Sequence, residues 1–387
     1  MYKIDDYGMC CISDSITHAV LSFNPIAHKP DGDAILVKQF GIFIQCFNHL
    51  SNLNRRDNEL AQQLLNDLHS STFYSLFPNM VTGLLAWASG KNLLTRKNLL
   101  QHIEKFPHDV IGIHIIHMFD FLHGNRDGYL EYFSHKNVCD NRKLNGYYQG
   151  MYSFSFCEHG KFCEVLDIAK SAATINLDDI YSLHALVHCY HSQGKHETVI
   201  DFLEENKPFW LPNPGMNMHI YWHLALSYLE TGNLSKSLQC FRDFILLKSK
   251  EHDELDLDAA NYLVRYFFIK QEIADIACEI DIVANNWAPS IFNSLSYFND
   301  MHAAMAFMLS GGSGFMAKLE NKPLIPSLDM KTNNVGKSII LAISAYMSGE
   351  YAKCADLLGQ TKDRWHFIGG SIAQREILNL MLKCAQH

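Results

Sequence analysis

Apolar residues recur every three to four positions along much of this chain, which is the spacing of one face of an α-helix. Segments 336–348 and 372–386 show this pattern clearly. No run of alternating apolar and polar residues is long enough to build a sheet. The pattern therefore predicts an all-α protein.

Glycine recurs at a nearly constant interval between these predicted helices. Gly90 and Gly124 are 34 residues apart, as are Gly160 and Gly194, and Gly349 begins a similar segment nearer the end. A period of about 34 residues is typical of the tetratricopeptide repeat, a helix–turn–helix unit, and glycine suits its turn because it adopts a left-handed backbone cheaply. We therefore predict a right-handed superhelix, an α-solenoid, of about seven or eight such hairpins.

The positions of glycine, proline and asparagine also suggest how the chain is organised. We predict one domain, 1–387, with N-terminal capping helices at 1–80, core hairpins at 81–310, a loop at 311–335 and C-terminal hairpins at 336–387. The glycines at 311, 312 and 314 and the prolines and asparagines of 321–334 indicate the loop. An ordinary connector is the favoured interpretation, and a mobile lid is the alternative.

Composition narrows the class of protein. With 32 basic and 41 acidic residues the net charge is −9, and no basic run is dense enough for a phosphate-binding surface, so nucleic acid is not an expected partner. No apolar run approaches a membrane span, and Met1 to Asp6 lacks the basic and then apolar regions that would predict a signal peptide. The 11 cysteines include no Cys-x-x-Cys. We expect a cytoplasmic protein with reduced thiols and no membrane partner, and the sequence leaves a homodimer open.

Histidine is the unusual component. The chain has 21 histidines, whereas about eight would be expected from a background of roughly 2%. In this repeat type, positions about ten and six residues before the turn glycine face the inner groove. Counting back from Gly124, Gly160, Gly194, Gly232 and Gly312 places the following residues at or beside those positions: His114, His117, Phe154, Cys157, Glu158, His184, His188, His219, Trp222, His223 and His302. The register predicts a histidine-rich concave pocket.

Two kinds of chemistry suit such a pocket. His184 and His188 have the i, i+4 spacing by which a helix presents two imidazoles to a metal, and Glu158 can supply a third ligand for a divalent ion such as zinc or iron. Asp300 and His302 are alternative third ligands. A metal-free site, in which neutral histidines act as acid and base while Glu158 orients one of them, is equally compatible.

Other side chains of the pocket have weaker chemical indications. Phe154 and Trp222 would form an apolar or stacking wall. Cys157 lies beside the histidines, but nothing in the sequence indicates a lowered thiol pKa, so a nucleophilic role is disfavoured. The candidate catalytic residues are His184, His188, His223, Glu158, Asp300 and His302.

Several segments of the chain resemble the tetratricopeptide repeat protein 38 family. These segments are Gly146-Tyr-Tyr-Gln-Gly-Met-Tyr-Ser-Phe154, Leu183-His-Ala-Leu-Val-His188, Tyr221-Trp-His-Leu-Ala-Leu-Ser-Tyr-Leu-Glu230, Phe298-Asn-Asp-Met-His302 and Gly369-Gly-Ser-Ile-Ala-Gln-Arg375. With similar short matches between them, they span about residues 110 to 380. The family usually has two adjacent glutamates where this chain has Cys157-Glu158, which weakens any mechanism that needs a carboxylate pair.

The resemblance implies the repeat fold and a set of site residues, but no particular reaction. The family's motif positions include residues that the count from the turn glycines also places in the pocket: His117, Glu158, His184, His188, His219, His223 and His302. They also include Asp300. The resemblance adds Asp258, Gln374 and Arg375 as ligand-binding candidates, which the periodicity does not single out.

Two functional classes remain after these observations. The first is a protein that binds and transforms a small molecule or short peptide by His/Glu acid–base chemistry, with metal assistance as an option. The second is a non-catalytic scaffold that grips a partner peptide, the usual role of this repeat. Grooves of the second kind commonly use Lys, Arg and Asn, whereas this register carries histidine and aromatic residues, which favours the first class. The sequence leaves open whether the protein is an enzyme.

Overall fold

The computed structural model describes residues 4–24, 34–133, 142–247 and 257–386. These residues contain 22 α-helices and no β-strand. The prediction of an all-α protein is therefore confirmed, whereas the superhelical winding stays a prediction. Among the described residues, no helix is both long and apolar enough to cross a lipid bilayer.

The chain divides into two compact units, which we describe separately. The first comprises Met1–Gln193 and Asn206–Asn217. Its helices, numbered in chain order, are α1 (Asp14–Leu21), α2 (Ala34–Ser51), α3 (Arg55–Leu68), α4 (Thr72–Leu76), α5 (Pro78–Ala88), α6 (Asn92–Lys105), α7 (Val110–Leu122), α8 (Tyr129–Tyr132), α9 (Arg142–Glu158), α10 (Phe162–Ile175), α11 (Ile180–His191) and α13 (Lys207–Trp210).

The second unit comprises Gly194–Glu205 and Met218–His387. Its helices are α12 (His196–Glu205), α14 (Asn217–Glu230, whose first residue ends the first unit), α15 (Leu234–Cys240), α16 (Leu257–Lys270), α17 (Ala277–Trp287), α18 (Tyr297–Ser310), α19 (Ser313–Glu320), α20 (Met330–Met347), α21 (Tyr351–Thr361) and α22 (Ile372–Gln386). A short π-helical turn, Phe241–Ile245, continues α15.

The predicted turn glycines adopt the backbone conformation that the sequence indicates. Positive φ angles occur at Gly90, Gly124, Gly160, Gly194, Gly232, Gly311 and Gly349. At the sixth turn the left-handed residue is Gly311, with φ 71°, and Gly312 has φ −72°. His302 is selected by counting ten residues back from Gly312, which is one residue beyond the left-handed glycine. Left-handed glycine ends the preceding helix because a Cβ would be strained there.

In the first unit, small residues bring α9 close to α11. A Cβ added to Gly150 would lie 2.1 Å from the hydroxyl oxygen of Ser182. The Ser182 backbone N–H also donates to the Asp179 carboxylate, 3.0 Å away, which caps the start of α11. This contact places the second half of α9 beside the middle of α11.

In the second unit, α16 packs against α18 and α22, and α18 packs against α20. Glycines again allow close packing, since a Cβ on Gly336 would lie 2.1 Å from the Tyr297 ring and a Cβ on Gly370 would lie 2.1 Å from the Phe298 ring. Both rings belong to the first turn of α18. These contacts fix the orientation of the helix that carries His302.

Most of the predicted loop 311–335 is helical. α19 occupies Ser313–Glu320 and α20 begins at Met330, so only 321–329 connects them. The buried Asn333 holds this connector, because its amide nitrogen donates to the carbonyls of Ile325, Leu328 and Asp329 while its oxygen accepts from the Ile325 N–H. Glycine and proline content suggested a loop, but Gly314 lies inside a helix with nothing within 4 Å of an added Cβ.

The turn glycines lead to a stability prediction with a matched control. Gly349 has φ 77° and Gly359 lies within α21, and an added Cβ would have no atom within 4 Å at either position. We expect Gly349→Ala to lower the free energy of unfolding by about 1 to 2 kcal/mol because it strains the backbone. Gly359→Ala should raise it by about 0.5 to 1 kcal/mol. Urea unfolding of both variants tests this, and a change of the same sign in both would contradict it.

Candidate metal-binding histidines

His184 and His188, hereafter the α11 pair, lie one turn apart on the same face of α11. Both side chains are buried, and their Nε2 atoms are 2.8 Å apart. In a metal-free protein one of these nitrogens must donate a hydrogen bond to the other. A tetrahedral zinc ion would hold two such nitrogens about 3.3 Å apart. A small rotation of one ring would therefore allow both to bind the same ion.

The α9 helix surrounds the α11 pair with an aromatic ring and a carboxylate. Phe154 stacks on His184 with ring centroids 5.7 Å apart, and its edge contacts His188 at 4.9 Å. Oε1 of the buried Glu158 lies 3.9 Å from Nδ1 of His188. This separation allows an ion pair but is longer than a hydrogen bond. Glu158 and Phe154 thus lie where the repeat register predicts, next to His184 and His188.

Two other candidates of the first unit have different surroundings. His117 Nε2 lies 2.7 Å from the Tyr181 hydroxyl and Nδ1 lies 3.2 Å from the Ser155 hydroxyl, so both ring nitrogens are engaged within the protein. Burial, aided by nearby His114, lowers the pKa of His117 to about 3. The imidazole is therefore neutral at physiological pH and supports the helix contact instead of facing a ligand.

Cys157 is also buried on α9, and the cysteines in the described part of the chain are free thiols. A hydrogen bond with Cys189, together with burial, raises the pKa of the Cys157 thiol. A nucleophilic cysteine needs a lowered pKa because the thiolate is the reactive form. The environment of Cys157 therefore favours packing over nucleophilic chemistry.

His219 and His223, hereafter the α14 pair, lie in the second unit and repeat the i, i+4 spacing. Each has a ring nitrogen within 4.8 Å of one on the other, and the ring centroids are 4.8 Å apart. The fully buried Trp222 stacks on His219 at 5.2 Å. Nδ1 of His219 lies 2.8 Å from Oδ2 of Asp258, which α16 supplies. Imidazole pairs with this spacing can hold a metal ion.

Asp300 and His302 do not act together, although both are buried on α18. Residues two positions apart on a helix point roughly 200° apart, because each residue turns the chain by about 100°. The carboxylate of Asp300 forms an ion pair with Lys322 at 2.7 Å, and burial raises its pKa. This ion pair joins α18 to the connector after α19, and the catalytic role of Asp300 stays a prediction.

His302 belongs to a polar network that α16 and α22 complete. Its Nδ1 donates to the Phe298 carbonyl at 2.8 Å, and its Nε2 lies 3.4 Å from the amide nitrogen of Asn261. Asn261 also donates to the Gln374 carbonyl and accepts from Arg265. Burial lowers the pKa of His302 to about 4, so this imidazole is neutral near pH 7.

Gln374 and Arg375, which the family resemblance singled out, shape the start of α22. The side-chain oxygen of Gln374 accepts from the Ser371 N–H at 3.0 Å, and the Ser371 hydroxyl accepts from the Gln374 N–H at 3.2 Å. This reciprocal arrangement is a capping box. Arg375 donates to the carbonyls of Gly369, at 3.0 Å, and of Gly370. The contacts explain both residues by local structure, without a ligand.

Sequence reasoning missed Asn261 and Arg265, which connect His302 to the rest of the polar network. Together with Asp258 they occupy positions i, i+3 and i+7 of α16, and so lie on one helical face. The signal was present as three polar residues at helical spacing within a largely apolar helix. No turn glycine separates α15 from α16, so the glycine register did not extend to this segment.

No protein-family model matches this chain. No solved structure matches it either. The resemblance to the tetratricopeptide repeat protein 38 family therefore stays a prediction that depends on the quoted sequence segments.

The neutral histidines predict how stability depends on pH. The unfolded chain binds a proton at His302 with an ordinary pKa of 6.5, whereas the folded protein does so only near 4. Acid therefore favours the unfolded state: the stability is fully present above pH 6.5 and is lost as pH falls toward 4. Between roughly pH 7.5 and 5, His302 alone accounts for a loss of about 2 kcal/mol.

Urea unfolding at the two pH values, followed by tryptophan fluorescence, measures this contribution. Between the two pH values, the free energy of unfolding should fall by about 2 kcal/mol less in His302→Gln than in the parent protein. His69→Gln, which replaces an exposed histidine, is the control and should leave the pH dependence unchanged. Equal pH dependence in the parent and in His302→Gln would show that His302 does not titrate in this way.

Proposed function

We propose that this protein binds divalent transition-metal ions through the α11 pair and the α14 pair. The observation that carries the proposal is the 2.8 Å separation of the two buried Nε2 atoms on α11. Two lone pairs directed at one point would repel each other in the absence of a shared proton or cation. A metal ion satisfies both nitrogens at once. The α14 pair supports the proposal because it repeats the spacing beside a buried carboxylate.

The donor types indicate which metals are suitable. Imidazole nitrogens suit zinc, iron, copper and nickel. A carboxylate such as Glu158 is also a known ligand of zinc and, together with two histidines, of iron. Two histidines and a glutamate form the protein ligand set of many catalytic sites, in which a further position stays open. Calcium and magnesium prefer oxygen ligands and do not match this set.

We extend the proposal to catalysis on a small molecule or short peptide. A bound zinc or iron ion would supply Lewis acidity and lower the pKa of a bound water. A carboxylate or a neutral imidazole can act as a general base near pH 7 when it does not bind the ion, and Glu158 and His223 are the candidates for that role when other side chains hold the metal. A scaffold that only grips a peptide would not need two buried imidazole pairs. A cytoplasmic location, a single superhelical domain and a homodimer are further proposals.

Metal titration of tag-free protein tests the binding proposal, since a histidine tag would itself bind metal. We expect Zn²⁺ or Co²⁺, added after chelator treatment, to raise the melting temperature, because a ligand at 100 times its Kd stabilises the folded state by about 2.7 kcal/mol. His184→Gln and His219→Gln, made separately, should each weaken Co²⁺ binding by at least roughly tenfold.

His69→Gln serves as the control for loss of an exposed imidazole. It should bind Co²⁺ like the parent protein. The proposal fails if the parent protein shows neither a melting shift nor Co²⁺ absorption bands, or if all three variants bind equally well.

A further inference from the structure

We propose that Asp258 is a positioning residue that makes Nε2 of His219 the metal-binding atom of that histidine. The inference rests on the proposed function, because it explains how one of the proposed ligands is prepared for a metal. Asp258 lies on α16, 39 positions along the chain from His219 on α14, and the two side chains meet at 2.8 Å.

The hydrogen bond determines which nitrogen of His219 carries the proton. An ionised carboxylate only accepts hydrogen bonds, so the hydrogen between the two groups belongs to Nδ1 of the imidazole. An imidazole that binds a metal ion is neutral and has one N–H, so with Nδ1 as the donor, Nε2 is the nitrogen left to bind the ion. Carboxylates in this position are common behind metal-ligating histidines, where they fix the ring orientation and increase the basicity of the ligand.

The carboxylate of Asp258 has one oxygen that the described residues do not satisfy. Its side chain is 7% exposed, and Oδ1 is buried without a hydrogen-bond partner among the described residues. Among the described residues, no lysine or arginine forms an ion pair with the Asp258 carboxylate. A buried carboxylate with an oxygen that lacks a hydrogen-bond partner is costly. A cation on the far side of the His219 ring would compensate the charge through the imidazole.

Two nitrogen-bearing side chains of the second unit, those of His302 and Arg265, are directed to other partners. His302 is neutral, and its nitrogens face Phe298 and Asn261. Arg265 directs its side chain to Asn261 and to the Ala373 carbonyl. Trp222 stacks on His219 and so helps to keep the imidazole in the orientation that allows its hydrogen bond to Asp258. The partner of Asp258 among the described residues is thus His219.

The α11 pair provides a contrast. Glu158 lies 3.9 Å from Nδ1 of His188, too far for a hydrogen bond in this structure. Asp258 therefore fixes the tautomer of His219 more firmly than Glu158 fixes that of His188. We expect the contribution of His219 to metal binding to depend on its carboxylate partner.

The first experiment is nitrogen NMR of ¹⁵N-histidine-labelled, metal-free, full-length protein. His219→Gln assigns the His219 signals. We expect the Nδ1–H tautomer in the parent protein and a shift toward the Nε2–H tautomer in Asp258→Ala. A purely structural role of Asp258 would not change the tautomer. An unchanged tautomer in a folded Asp258→Ala would overturn the inference, whether or not the protein binds metal.

The second experiment is Co²⁺ titration. Asp258→Asn keeps the size of the side chain but removes its charge, and it should weaken Co²⁺ binding by roughly 10- to 100-fold. It also keeps the test decisive if Asp258→Ala does not fold. Glu279→Gln, which removes another buried carboxylate of the same unit that pairs with Arg242, is the control and should leave the affinity unchanged.

The outcomes separate the inference from the proposed function. If the parent protein binds no Co²⁺, the proposed function fails, and the NMR tautomer still decides the role of Asp258. If the parent protein binds Co²⁺ and Asp258→Asn binds it equally well, the inference fails and the proposed function stands.

Discussion

The fixed rotation of the α-helix, which brings every fourth residue back to the same face, is the constraint on which the candidate site depends. It aligns His184 with His188 on α11 and His219 with His223 on α14. Neither pair requires a loop, and neither depends on long-range pairing to bring its own imidazoles together. What each pair can do depends on the helix packed beside it, since that helix supplies the carboxylate.

Four buried carboxylates illustrate this dependence. Asp109 binds His102 and backbone N–H groups, and Asp300 binds Lys322, so both join parts of the fold. Glu158 and Asp258 instead face the histidine pairs. Asp109 caps the start of α7, the other three lie within helices, and all four are buried. Their chemical roles differ because different donors lie opposite them.

The glycine register was a reliable guide to turns and an incomplete guide to the site. It located seven left-handed turns and the neighbourhood of Glu158, Phe154 and the α11 pair. It did not reach Asp258, which the family resemblance supplied, or Asn261 and Arg265, which share its helix face. The glycine and proline content of 311–335 predicts a loop, because composition does not reveal the hydrogen bonds of Asn333 that anchor the short connector.

The amino-acid sequence by itself determined the helical class, the positions of the turns and the pairing of imidazoles along single helices, because these follow from local backbone geometry and a period of 3.6 residues. Only the tertiary structure decided that Asp258 contacts His219, that Asp300 contacts Lys322, and that Asn261 joins His302 to the Gln374 carbonyl. Such contacts join residues from different segments of the chain. Their partners depend on how helices pack, which local periodicity does not encode.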